Sequence, residues 1–592
     1  LAEHPDYPEL KKSDANIIGH VLDKKTKEHL PYITIALKGT TIGTVTDATG
    51  HYFLKNLPEG NFILEVSSVG YKTVTRNVTL KKGKTLEEDF EIEEDAIALD
   101  GVVVSANRSE TTRRLAPTLV NVVDLKLFET TNSSTLSQGL NFQPGVRVET
   151  NCQNCGFQQV RINGLDGPYT QILIDSRPVF SALSGVYGLE QIPASMIERV
   201  EVMRGGGSAL FGSSAIAGTI NIITKEPLRN SGQLSHTITS LGGSSSFDNN
   251  TSLNVSLVTD DHRAGLYIFG QNRYRSGYDY DGDGFTELPK LKNQTVGFRS
   301  YLKTSTYSKL TFEYHHMQEF RRGGDMLNRP PHEAHIAEQL QHSIDGGSLK
   351  FDYFSPDEKN RLSVFASAAN TDRDSYYGPG NDPLNAYGKT TDLTAMGGAQ
   401  YVHTFDKCFF MPSDLTAGLE YNRDRLKDNM WGYNRHTDQT VNIYSAFLQN
   451  EWKNDRWGIL IGGRLDKHNM VDNVIFSPRA NLRFNPTQNI NLRLSYSSGF
   501  RAPQAFDEDM HIENVGGTVA MIERAKNLKE EKSQSFSASA DMYHRFGVFQ
   551  TNFLIEGFYT RLTDVFVLGE PYDRGDGILV KTRSNGPGAK VM

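Results

Sequence analysis

Cysteine is nearly missing from this chain, with three residues in 592. A disulfide-stapled scaffold is thereby excluded, because such scaffolds are short and cysteine-dense. Long apolar runs are missing as well. No stretch approaches the roughly 18 consecutive apolar residues that a membrane-crossing helix needs, and hydrophobic residues make up only 38% of the chain. There is no excess of basic charge: 62 Lys and Arg stand against 70 Asp and Glu, a net charge of −8. With no basic run either, nucleic acid is not expected as a partner. The chain opens on Leu1-Ala-Glu-His4, without a charged n-region and an apolar h-region, so a secretory leader is either absent or already removed. No activated nucleophile, paired acid and base, or phosphate-cradling loop stands out, and an enzyme is not expected.

What the chain does have is short-period alternation. Its length exceeds one ordinary core, which implies several domains or one very large barrel. From about Asn16 to Glu94, β-prone runs such as Ile17 to Leu22, Tyr32 to Leu37 and Asn61 to Ser67 are broken by the turns Asp47-Ala-Thr-Gly50 and Leu57-Pro-Glu-Gly60. That pattern predicts a small β-sandwich. After Pro227 the texture changes. Leu310, Phe312 and Tyr314 alternate with Thr311, Glu313 and His315; Ile459, Ile461 and Leu465 oppose Gly462, Arg464 and Asp466; Leu492, Leu494 and Tyr496 oppose Asn491, Arg493, Ser495 and Ser497. A period of two with a polar second face fits strands that face lipid on one side and water or a plug on the other. Trp452, Trp457, Tyr496, Phe558 and Tyr559 suit interfacial girdles at strand ends. A soluble sandwich alternates in the same way, so a different signal has to arbitrate.

That signal runs from Ile197 to Lys225. Two strand-like runs, Arg199 to Met203 and Gly218 to Thr224, flank a segment carrying Gly205, Gly206, Gly207 and Gly212 among small and apolar residues. Glycine permits positive φ and close backbone approach, so the segment can turn tightly and pack densely. The whole stretch, Ile197-Glu-Arg-Val-Glu-Val-Met-Arg-Gly-Gly-Gly-Ser-Ala-Leu-Phe-Gly through Gly218-Thr-Ile-Asn-Ile-Ile-Thr-Lys225, resembles the end of the plug domain of TonB-dependent outer-membrane transporters over roughly thirty residues. Val160-Arg-Ile-Asn-Gly-Leu165 and Thr170-Gln-Ile-Leu-Ile-Asp175 resemble earlier plug strands. Gly43-Thr-Val-Thr-Asp-Ala-Thr-Gly-His-Tyr-Phe53 and Ser68-Val-Gly-Tyr71 resemble the carboxypeptidase-regulatory-like domain that precedes such transporters in Bacteroidetes. No His/Glu zinc constellation accompanies it, so a structural or docking module is expected there.

The resemblance implies a mainly β chain: an N-terminal extension at 1–15, a β-sandwich at 16–94, a linker at 95–107, an α+β plug at 108–227 and part of a transmembrane antiparallel β-barrel at 228–592. The barrel segment has room for roughly fifteen or sixteen strands. Family members close with about 22 strands, so the terminal strands are expected to be missing here. In the linker, Leu99, Asp100, Gly101, Val102, Val103 and Val104 occupy the position of the TonB box, an extended, accessible segment that pairs edge to edge with the periplasmic energy transducer TonB. Buried plug charges need partners, so Arg161, Glu201 and Arg204 are expected in ion pairs that hold the plug.

Several residues are candidates for cargo chemistry. Cys152-Gln-Asn-Cys155 lies in a plug loop, where it can form a local disulfide in an oxidising envelope or contact a soft metal or heme. Gly499-Phe-Arg-Ala-Pro503 and Asn527-Leu-Lys-Glu-Glu531 resemble the two elements that bracket a His in heme receptors. Arg501, Met510 and His511 fall on or between them, and His or Met can ligate heme iron. Other His and Met residues, among them His315, His316, Met317, His342 and Met430, are expected in loops. Asp279, Asp281, Asp283 and Glu287 resemble the start of a calcium loop, although Lys290 stands where its closing Glu belongs. No resident cofactor is required, with calcium as the one structural ion considered.

The cargo expected from the resemblance is a metal complex, heme or a ferric siderophore. Cobalamin or copper, a glycan or peptide taken up with a surface lipoprotein, and an outer-membrane assembly role are the alternatives. Lipid, TonB with its inner-membrane energising proteins, and a small metal complex are the partners implied.

Overall fold

The computed structural model describes residues 15–47, 49–68, 71–94, 102–152, 154–177, 189–190, 192–379, 385–515, 518–546 and 549–592. Its N-terminal part is the expected sandwich. Strand Ala15–Asp23 lies between His51–Leu57 on one side and Thr85–Glu87 with Phe90–Ile92 on the other, and the facing sheet runs Gly43–Val45, Thr34–Leu37, Gly60–Ser67, Val74–Leu80. Alternate residues point inward, so Ile17, Val21, Ile35, Leu37, Leu54, Leu64, Val66 and Phe90 meet in one buried layer.

The second unit is built on a four-stranded sheet in the order Val120–Asp124, Ile197–Arg204, Gly218–Thr224, Thr170–Ile174. The glycine-rich stretch connects its two central strands through the short helix Ser208–Phe211. Gly218 shows why glycine is needed. Its φ is 153°, and a Cβ there would lie 2.3 Å from the carbonyl oxygen of Met203 on the neighbouring strand.

Around this unit runs a 16-stranded antiparallel sheet from Ser231–Ser240 to Ala589–Val591. Consecutive strands pair throughout, except between Ile490–Arg501 and Glu531–Phe546, and between Phe549–Thr563 and Ala589–Val591. The residues between those partners form a separate five-stranded sheet, including Thr518–Arg524 and Leu579–Asn585. That sheet sits at the end of the wall carrying the long connections. The first and last strands of the 16 are not paired with each other.

The wall's two faces decide between a soluble sandwich and a barrel. Leu494 is 55% exposed and its neighbour Arg493 3%; Ile461 is 57% exposed and Asp466 0%. Phe312 is exposed while Thr311 is buried. Apolar side chains point out and charged ones point in, the inverse of a water-soluble sheet, as lipid outside and a polar interior demand.

The plug fills that interior and is tied to it by charge. Arg204 pairs with Glu556 of the wall at 2.7 Å, Asp175 with Arg299 at 2.7 Å, and Glu190 with Arg275 at 2.9 Å and Arg321 at 2.8 Å. Arg108 and Arg464 share Glu420. Of the three plug charges singled out in the sequence, Arg204 reaches the wall. Arg161 pairs within the plug with Glu149 and Asp166, and Glu201 pairs with Arg199.

Replacing one member of a buried pair strands the other charge. Arg204→Ala should therefore weaken plug retention by about 3–5 kcal/mol, read as a lower urea midpoint for protease cleavage of the plug. The double change Arg204→Met with Glu556→Leu should recover much of that loss.

Candidate functional site

At the long-connection end of the wall, the tip of a plug hairpin meets two other elements. Strands Val146–Cys152 and Phe157–Ile162 pair antiparallel, with a register shift between Thr150 and Cys152. The tip closes as the Gly156 N–H donates to the Cys152 carbonyl at 3.0 Å, with Gly156 at φ 69°. This turn lies directly on the wall. A Cβ on Gly323 would fall 1.7 Å from the Asn154 carbonyl oxygen, so only glycine lets the two backbones touch. Arg321 fixes the same turn from the side, donating to the Gly156 carbonyl and pairing with Glu190 and Glu319.

Glu338, in strand Ile336–Phe354, is the cross-strand partner of Gly323. The register therefore sets its carboxylate beside the Cys152–Cys155 turn. His511 arrives from the other side, at the end of the short helix Asp507–Met510, where its N–H donates to the Asp507 carbonyl. That helix is anchored by the Asp507–Arg373 and Asp509–Arg583 pairs at 2.7 and 2.8 Å.

These placements bring four donor side chains together. Cys152 Sγ lies 3.1 Å from Glu338 Oε2, Cys155 Sγ 3.6 Å from His511 Nε2, and His511 Nε2 3.5 Å from Glu338 Oε2. All four donor atoms are within 4.8 Å of one another. Cys155 is fully buried, and the rings of Phe157 and Tyr377 stand edge-on to His511, each at 5.4 Å between centroids. A hydrogen bond from Cys155 outweighs burial and brings the Cys152 thiol down to about 7. Burial lowers the His511 imidazolium, but hydrogen bonding to Cys152 and Glu338 overcomes it and raises His511 to about 10.

Three of the residues named from sequence, Cys152, Cys155 and His511, thus meet in one place. The disulfide expected between the cysteines is not formed, and both are thiols. Glu338 carries no signal in the sequence beyond an inward position on a strand, shared with many wall residues. Met510, next to His511, turns away and packs with Leu426 and Ala505. Arg501 is buried against Glu508 at 2.5 Å and over the rings of Phe506 and Phe566, so it braces the outer connection. Neither touches the cluster's donor atoms through any of these contacts. His315, His316 and Met317, expected in a loop, lie in strand Ser308–Gly324; His342 and Met430 are likewise strand residues. Their polar and apolar neighbours alternate as the rest of the wall does, and that pairing overrides the loop reading.

The acidic segment gathers only in part. Asp279, Asp281 and Glu287 place carboxylate oxygens within 4.8 Å of one another. Asp283 instead accepts from the Phe285 N–H at 2.8 Å, and Asp279 caps the N–H groups of Gly282 and Gly284. These bonds shape a turn.

Leu99, Asp100 and Gly101 lie outside the described residues. Val102–Val103 pairs with Thr111–Thr112, and Val103 is fully buried, so this part of the segment is not the accessible strand expected from sequence. The Val104 N–H, the Ser105 N–H and the Ser105 hydroxyl all donate to one oxygen of Glu201, at 2.9, 2.9 and 2.7 Å.

Comparison with known proteins gives this architecture its family. The TonB dependent receptor-like β-barrel model matches residues 219–586, the TonB-dependent receptor plug model 112–219, and the CarboxypepD_reg-like model 17–104. The chain belongs to the TonB-dependent receptors. As in that family, its barrel is an outer-membrane barrel. The receptor is 24% identical over 425 residues to the vitamin B12 transporter BtuB of Vibrio vulnificus strain CMCP6, covering 69% of this chain and 64% of that protein. It therefore spans somewhat under two thirds of the length of that relative. A 125-residue stretch is 35% identical to BtuB of strain YJ016, covering 21% of this chain and 20% of that one. The fold is similar to that of the siderophore receptor PirA from Acinetobacter baumannii, with a TM-score of 0.66 at 18% identity over 81% of this chain and 77% of that one. A variant of the ferric enterobactin receptor PfeA from Pseudomonas aeruginosa gives 0.65 at 18% identity over 81% and 77%.

The contact between Gly323 and the Cys152–Cys155 turn supports a direct check. Gly323→Ala should push the turn off the wall and speed maleimide labelling of buried Cys155 at least tenfold, measured by mass spectrometry of the labelled protein. An unchanged rate would mean that the close approach does not hold the turn.

Proposed function

We propose that this receptor imports a small metal complex across the outer membrane, drawing on TonB for energy. The observation that carries this reading is the plug strand Ile197–Arg204. At Arg204 it is bound to the wall, and at Glu201 it holds Val104, the last residue of the TonB-box position, and Ser105 after it. A ligand seated at the long-connection end can thereby act on a segment at the other end through one rigid sheet. Kinship with a vitamin B12 transporter and a fold like those of siderophore receptors support the cargo class. The same kinship supports TonB as the partner.

Heme is the less supported cargo. His511, the residue proposed to ligate it, has its Nε2 turned to Cys155 and Glu338 and its ring held between Phe157 and Tyr377. An axial ligand needs an open face toward the porphyrin iron.

Deleting Val102-Val-Val104 should abolish uptake in whole cells while leaving ligand binding to the purified receptor unchanged. Radiolabelled cobalamin, ferric siderophore and heme supplied in parallel identify the cargo. Uptake that survives both the deletion and the loss of TonB would remove TonB as the energy source, and no receptor-dependent uptake of any of the three would remove the import reading.

A further inference from the structure

We propose that Cys152, Cys155, Glu338 and His511 form a binding site for one thiophilic divalent cation of the zinc class, assembled only where plug turn, wall strand and outer connection meet. This deepens the import reading by naming the metal class at the outer tip of the plug. Its significance for cargo rests on that reading.

The donor set is the first argument. Two thiol sulfurs, one imidazole nitrogen and one carboxylate oxygen are the ligand types of tetrahedral zinc sites. They are a poor set for calcium or magnesium, which take oxygen, and for a hard ferric ion. Spacing is the second. With metal–ligand bonds of about 2.0–2.3 Å, the edges of a tetrahedron are roughly 3.3–3.8 Å. Three of the six separations, 3.1, 3.5 and 3.6 Å, are already close to that range, and the others lie within 4.8 Å, so side-chain adjustments of about 1 Å reach that shape.

Charge is the third argument. Glu190, Glu319, Glu420 and Asp175 are buried beside arginines that neutralise them. Glu338 is 3% exposed, and among the described residues its ion-pair partner is His511 alone, with Cys152 donating to the same oxygen. A bound cation takes the place of the ligand protons here and supplies the positive charge that arginine supplies elsewhere.

The surroundings complete the site. Phe157 and Tyr377 fix the imidazole, and Ala337, Val519 and Met521 belong to the same apolar cluster as Cys155, which limits competition from water. The Asn154–Gly323 contact holds the two cysteines against the wall whether or not metal is bound. Cys152 and His511 are partly exposed, giving an ion a route inward. Because ligands come from three separate elements, occupancy clamps the outer connection to the plug.

The test uses the purified full chain in detergent, reduced and kept anaerobic. One equivalent of Zn2+ should remain after desalting, and Co2+ should give the strong visible bands of a tetrahedral site with thiolate-to-cobalt charge transfer. Cys152→Ser with Cys155→Ser should abolish that charge transfer, and Glu338→Gln or His511→Ala should each weaken Zn2+ at least tenfold in chelator competition. Heat-modifiable gel migration checks that each variant keeps its barrel, and the Co2+ spectrum of the unaltered protein stands without any variant. A pale octahedral spectrum, Zn2+ retention no higher than in the double serine variant, or a Cys152–Cys155 disulfide in native membranes would each overturn the inference. A receptor that retains no Zn2+ yet still takes up its cargo removes this site and leaves import standing. Stoichiometric Zn2+ with no TonB-dependent uptake of any complex removes import and leaves the site.

Discussion

Charge cannot be buried without a partner, and the receptor presses two polar surfaces together over the whole length of its plug. The inner face of the wall and the outer face of the plug both carry arginine and carboxylate, most of them buried between the two. Desolvating each ion costs several kcal/mol, recovered only when geometry is good. The positions of Arg108 between Glu420 and Phe447, of Asp175 against Arg299, and of Glu190 among Arg273, Arg275 and Arg321 therefore fix where the plug sits. Backbone carbonyls of the plug add to this, with Arg479 donating to Ala106 and Arg493 to Ala116. A hydrophobic interface would tolerate sliding. One built from directional pairs has a single register.

The strand Ile197–Arg204 turns that register into a connection. Glu201 and Arg204 are an odd number of residues apart, so their side chains leave opposite faces of the sheet. One faces the segment before the plug and the other faces the wall. Displacing the strand disturbs both contacts together, because strand, neighbours and glycine-rich return form one hydrogen-bonded sheet. The Phe500 carbonyl of the wall accepts from the Ser214 N–H within that return, which brings the outer connection's root into the same contact set.

Much of this fold was legible because it follows from local pattern. Period-two alternation marks Lys309–His315 and Asn491–Ser497 as strands wherever they pair, and the glycines between Met203 and Gly218 mark a tight return whatever surrounds it. Even the choice between sandwich and barrel could be made from the plug stretch. The site was legible only by halves. Cys152 and Cys155 are conspicuous in a chain with three cysteines, and His511 stands between two recognisable elements. Their meeting depends on register, which places Glu338 opposite Gly323 and both under Asn154. No local pattern encodes a contact between residues 186 positions apart. The choice between disulfide and metal contact was not legible for a related reason: spacing alone cannot tell whether two thiols face each other or a third group, and here each also has a partner outside the turn.

The burial of Val103 bears on how a pulling partner could engage the segment. Edge-to-edge pairing requires unpaired backbone groups, yet Val102–Val103 is already paired with Thr111–Thr112. Three further donors converge on a single oxygen of Glu201, a side chain with no exposed surface. Hydrogen bonds to a charged acceptor contribute about 1.5–3 kcal/mol each, so the segment is held closed by several kcal/mol at rest. Thermal fraying opens it rarely, and a pulling protein that bound only the open form would seldom engage an idle receptor. Opening requires that Glu201 release these three donors, and the sheet it belongs to is the one whose position the wall contacts set. Charge pairing at the seam and exposure of the segment are in this way two ends of one equilibrium.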